Sequence, residues 1–152
     1  MKKFRFRLES LLKYKRHLEQ VAKQEMAQAV ANVLACEQRI TGLQNDRISA
    51  TEQLDTLVEK GMGAGQFNRY RQFITAIDQT IILERNKKIE LEKILDEKRN
   101  ALKQRTIDKK SLERLREKQD REYTHEMLRE EQKGLDEIAS LKTAREVNNE
   151  HT

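Results

Sequence analysis

The chain is predicted to be all-α: an antiparallel two-helix coiled-coil hairpin with a longer second helix. Three observations carry this. Proline is absent and three of the five glycines fall together, in Lys60-Gly61-Met62-Gly63-Ala64-Gly65, so the backbone has one natural place to reverse. Apolar residues on either side recur in alternating steps of three and four, the mark of a coiled-coil seam. Charged residues make up 38% of the chain and aromatics 5%, too little bulky apolar material for a wide globular core. A disordered chain would share that composition, and periodicity decides for helix. All 152 residues are therefore expected in a single hairpin domain.

The first helix is expected from about residue 5 to 60. Its stripe reads Leu8, Leu11, Lys15, Leu18, Ala22, Met26, Ala29, Val33, Cys36, Ile40, Leu43, Arg47, Ala50, Leu54, Leu57. Two successive four-residue steps around Ala22 predict a stutter, which unwinds the supercoil locally. The turn is expected over 61–65, where glycine tolerates the positive φ that a reversal needs. The second helix is expected from about 66 to 145, followed by a frayed tail. Its stripe reads Tyr70, Ile74, Ile77, Ile81, Glu84, Lys88, Leu91, Leu95, Lys98, Leu102, Arg105, Lys109, Leu112, Arg116, Gln119, Tyr123. Lys and Arg in this seam cover it with their alkyl stems while their charges reach water. Folding at residue 63 or 64 opposes Leu57 to Tyr70, Leu54 to Phe73 and Phe4 to Tyr123. At 1.5 Å per residue the first helix would be roughly 85 Å long. Beyond Tyr123 the second helix has no partner, yet it keeps Met127, Leu128, Leu135, Ile138 and Leu141.

Composition and pattern also restrict function. The net charge is +5, from 31 basic and 26 acidic residues; such a mixture reads as a solvated helix surface laced with ion pairs. The charge is segregated. Residues 1–16 hold seven basic side chains against Glu9 alone, and residues 120–150 hold five basic against nine acidic. No apolar run is long enough for a membrane span, and no apolar stretch follows the basic start as a signal peptide requires. The single Cys36 forms no intramolecular disulfide and fits a reducing compartment.

No catalytic, cofactor or metal site is expected. His17, His125 and His151 share no ligand spacing. Cys36 falls in the seam and reads as a small core residue. The glycine cluster lacks the Lys-Ser/Thr ending and the strand of a phosphate loop. Acidic pairs such as Asp96-Glu97 and Glu130-Glu131 lack the pocket that acid–base chemistry needs. The reading is a non-enzyme that works by contact. Two other classes remain: a basic coiled coil that binds nucleic acid, and a membrane-surface adaptor using Phe4, Phe6, Leu8, Leu11 and Leu12. Interleaved acidic residues and the lack of an aromatic stacking platform argue against nucleic acid. A short basic amphipathic head would give weak contact with an anionic membrane surface.

The opening Phe4-Arg5-Phe6-Arg7-Leu8-Glu9-Ser10-Leu11-Leu12-Lys13-Tyr14-Lys15-Arg16 is unusual for a coiled coil. Aromatics and arginines are favoured in interface cores, so it reads either as a docking head or as an apolar plug with a basic rim. This opening resembles the flagellar export protein FliJ family, whose members often begin Phe-x-Phe-x-Leu-x-x-Leu-Leu before a basic run. The resemblance extends over nearly the whole chain. It takes in the length, the two-helix layout, and Met62-Gly63-Ala64-Gly65 followed by Tyr70-Arg71-Gln72-Phe73-Ile74.

The resemblance implies a cytoplasmic, non-enzymatic part of the flagellar type III export machine, peripheral at the inner face of the cell membrane. Such proteins resemble the central stalk of rotary ATPases. The implied partners are a hexameric flagellar export ATPase, a membrane export gate protein and export chaperones. The resemblance places Phe4, Arg5, Phe6, Arg7, Leu8, Leu11 and Leu12 at the ATPase ring. It places Leu43, Arg47, Ala50 and Leu54 on the first helix, with Phe73, Ile77, Thr80 and Glu84 on the second, at the gate. Several of these gate positions also lie in the predicted seam, where they read equally well as core.

Overall fold

The structure, a computed structural model, describes residues 3–150. Helix α1 runs Glu9–Lys60 and helix α2 runs Ala64–Glu150. The fold is the predicted two-helix hairpin, and its second helix is the longer. The chain divides into two compact units. One, the turn unit, is Leu18–Arg105; the other, the head unit, joins the residues up to His17 with those from Thr106 onward.

In the turn unit the reversal is tighter than the glycine cluster suggests. Only Gly61, Met62 and Gly63 lie outside helix. Gly61 sits at φ +89°, a left-handed conformation that ends α1, and its N–H donates to the Val58 carbonyl at 3.2 Å. Lys60 in the last turn complements the helix dipole. Gly63 occupies the N-cap position, its carbonyl accepting from Phe67 N–H at 3.0 Å. Ala64 and Gly65, expected in the turn, already belong to α2.

The bend is therefore centred on Met62 and not on 63 or 64. Opposing residues shift accordingly. Glu25 pairs with Lys98 at 3.2 Å, Glu37 with Lys88 at 3.4 Å and Arg39 with Glu84 at 3.3 Å, and Arg47 pairs with Asp78. Leu57 and Tyr70 line one groove. Leu54 is buried while Phe73 is 56% exposed, so that expected pair does not share the seam.

Among the described residues, ten of the twelve buried apolar side chains belong to this unit, all but Phe6 and Leu12. Ala29, Val33 and Leu95 form the core cluster, with Met26, Val30 and Leu91 packed on it. Small residues on α1 let α2 approach closely, and each fully buried Ile, Leu or Val contributes about 1.5–3 kcal/mol.

The expected stutter is not present. It assumed Leu11 and Leu18 in the seam. Instead Leu12 and Glu19 are buried, Leu11 is exposed and Leu18 only half-buried. The steps Leu12, Lys15, Glu19, Ala22, Met26 and Ala29 then alternate three and four without a break. Burying Glu19 is tolerable because Lys23, one turn on, reaches its carboxylate at 3.4 Å.

In the head unit, α1 begins at Glu9, four residues later than expected. Residues 3–8 form a non-helical entry that buries Phe6 before the first turn. Glu9 N–H donates to the Phe6 carbonyl at 3.2 Å, and Leu12 N–H donates to that of Leu8 at 2.8 Å. The Phe4 ring meets Tyr123 with centroids 5.7 Å apart, the pairing expected from the sequence. Ion pairs join Glu9 to Arg116 at 3.0 Å, Arg16 to Glu113 at 3.5 Å and Lys15 to Asp108 at 3.8 Å. Past Tyr123, α2 continues to Glu150, five residues beyond the expected end.

Candidate functional site

The seven head residues expected at an ATPase ring fall into two classes. Phe6 and Leu12 are buried and Phe4 is half-buried against Tyr123. These three fix the head to α2. Arg5, Arg7, Leu8 and Leu11 are exposed. A groove lined by Lys3, Phe4, Arg5 and Tyr123 opens beside them. Tyr14, not singled out from the sequence, joins this surface at 56% exposure. It lies three residues after Leu11, on the same helix face.

The residues expected at a gate divide in the same way. Ala50, Leu54 and Ile77 are buried in the seam, and Leu43 is half-buried. Arg47, Phe73 and Thr80 are exposed. Phe73 and Thr80, seven residues apart, each precede a seam residue by one, so they share one flank of α2. Arg47 bonds instead to Asp78, which follows a seam residue and lies on the other flank. The Asp78 hydrogen bond, then its charge, raise the Arg47 pKa above its ordinary value. Thr80 donates to the Ala76 carbonyl at 2.9 Å, a bond within its own helix.

Glu84 is held most closely. Its half-buried carboxylate accepts from Arg39 Nε at 3.3 Å and from Cys36 Sγ at 3.5 Å; Cys36 Sγ also lies 3.3 Å from the Glu84 carbonyl. Desolvation alone would raise the Glu84 pKa. The hydrogen bonds from Arg39 and Cys36, with the charges of Arg39 and Lys87, outweigh it and hold the carboxyl below its ordinary value. Glu84 and Cys36 therefore form a satisfied polar lock inside the seam.

Around Phe73 the structure adds residues that sequence reasoning missed. Gln53, Arg69, Tyr70 and Phe73 line one shallow groove. The Arg71 guanidinium lies 5.9 Å from the Phe67 ring centroid, within cation–π range. The available signal was a large aromatic one position outside the apolar stripe, a placement that core packing does not require.

Among the described residues, no group of three or more His, Cys, Asp or Glu is placed to hold a metal ion. No helix among them is long and apolar enough to cross a membrane. His17 and His125 are exposed, and His151 lies outside the described residues.

Comparison with known proteins adds a family. The model of the family described as Flagellar FliJ protein matches residues 4–148. A Bacillus subtilis (strain 168) protein described as Flagellar FliJ protein is 23% identical over 136 residues, covering 90% of this chain and 92% of that one. No solved structure matches the chain.

Proposed function

The chain belongs to the flagellar FliJ protein family, and from that premise we propose that it is a non-enzymatic coupling element of flagellar type III protein export. Membership supports a component of the flagellar export apparatus. In our reading the head unit docks on a hexameric export ATPase, the turn unit contacts a membrane export gate protein, and export chaperones are escorted along the helices. The protein would act in the cytoplasm, at the inner face of the membrane.

One observation carries this reading: the head presents Arg5, Arg7, Leu8 and Leu11 from a backbone anchored by buried Phe6 and Leu12. A preorganised apolar patch with arginines loses little entropy on docking. At the gate, Phe73 and Thr80 supply the contact surface, and Ala50, Leu54 and Ile77 hold the two helices together beneath it.

The direct test measures ATP hydrolysis by the purified export ATPase with and without this protein. Leu8→Asp with Leu11→Asp should abolish stimulation while circular dichroism shows unchanged helicity. Full stimulation by that variant would overturn the docking head.

A further inference from the structure

The head unit carries two exposed apolar surfaces of opposite charge. Beyond Tyr123, α2 exposes Leu128, Leu135, Ile138 and Leu141 at 58%, 61%, 64% and 63%. On the head, Leu8, Leu11 and Tyr14 are exposed. Residues 3–16 hold six basic side chains and one acidic; residues 126–137 hold five acidic and two basic. Exposed apolar patches rimmed by charge mark interaction sites.

The tail cannot satisfy its own head. Tyr123 meets Phe4, and the pairs Glu9–Arg116 and Arg16–Glu113 show α1 running back from there against α2. The tail continues the other way as unbroken helix, so Leu135 lies about 18 Å past Tyr123 along the axis.

We propose that a second copy of this chain covers both surfaces, in a two-fold dimer that lays the acidic tail of each molecule along the basic head of the other. Two-fold symmetry makes the contact reciprocal. With the second copy reversed, its tail runs parallel to this copy's α1. Its net-acidic segment 126–137 then lies beside the net-basic segment 3–16. With four tail and three head side chains contributing from each molecule, the contact is small, near the lower edge of stable interfaces at roughly 1,200 Å². A weak, salt-sensitive dimer follows, with dissociation at roughly 10–100 µM. The dimer covers the head surface that the proposed function assigns to docking, so it is a resting form that partner binding must open. The inference does not depend on that assignment.

Sedimentation equilibrium of the full chain tests it. The average mass should rise from 18.0 kDa toward twice that value with concentration, and association should weaken at least roughly tenfold between about 50 mM and 500 mM salt. Leu135→Glu with Ile138→Glu on the tail should hold the protein monomeric, and so should Arg5→Glu with Arg7→Glu on the head, both at unchanged helicity. Adding Glu130→Arg and Glu131→Arg to the head variant should restore dimerisation. A monomer up to about 100 µM at low salt, or a dimer indifferent to the tail variant, would overturn the proposal. Absence of ATPase stimulation by the unaltered protein, with dimerisation intact, would count against the docking head alone.

Discussion

Leu95 and Phe73 show how a single position decides between core and contact. Leu95 is 6% exposed and packs in the Ala29–Val33 cluster, whereas Phe73 is 56% exposed one step outside the seam. Leu95→Ala should cost about 2–4 kcal/mol, seen as a lower midpoint in thermal denaturation. Phe73→Ala should change stability by no more than about 0.5 kcal/mol and, under the proposed function, weaken binding to an export gate protein. A stability loss at Phe73 matching that at Leu95 would make it core. Glu84 supplies a pH signature. Its folded-state carboxyl titrates below its ordinary value of 4.5, so its bonds to Arg39 and Cys36 stabilise the fold fully above that value. The contribution fades as pH falls through the lower folded-state pKa. Glu84→Gln should flatten this acid limb of the stability curve; an unchanged limb would show that Glu84 does not contribute. The sequence placed Glu84 in the seam but gave no reason to keep a carboxylate there. The reason is Cys36 and Arg39 on the opposite helix, a contact between residues 45 and 48 positions apart that periodicity does not report.

At the scale of the element, both helices and their antiparallel order were legible, because apolar spacing and a lone glycine cluster each encode a local backbone choice. Boundaries were less so. Helix propensity extends α1 back to residue 5, since it does not register that Phe6 is buried ahead of the first turn. Composition does not choose between Leu11 and Leu12, and it prefers Leu18 to Glu19, but the phase set by the long seam selects Leu12 and Glu19. The glycines were read as one group, yet they have different roles. Gly61→Ala should cost about 1 kcal/mol, because its φ of +89° resists a side chain. Gly65 lies within α2 and an added Cβ would meet nothing within 4 Å. Gly65→Ala should therefore stabilise by about 0.5–1 kcal/mol. Chemical denaturation of the pair should give opposite signs, and equal signs would misplace the bend.

For the whole molecule, the sequence showed the charge segregation and the unpartnered apolar tail, and the structure turned these into surfaces. The head residues needed coordinates, since Phe6 and Leu8 look alike in sequence and only burial separates anchor from contact. Removing residues 124–152 should lower the thermal midpoint of dilute protein by no more than about 3 °C, because that segment buries almost no apolar area. A large drop in cooperativity would mean that the tail supports the fold.

The three-residue bend has one more consequence. Within Leu18–Arg105 every cross-helix partnership is counted outward from Met62, like teeth on two racks meshed at a single pinion. Inserting one residue beside Met62 would slip all of those teeth together, parting Arg47 from Asp78 and Cys36 from Glu84 at once. A loop of three residues thereby dictates which side chains meet in the core.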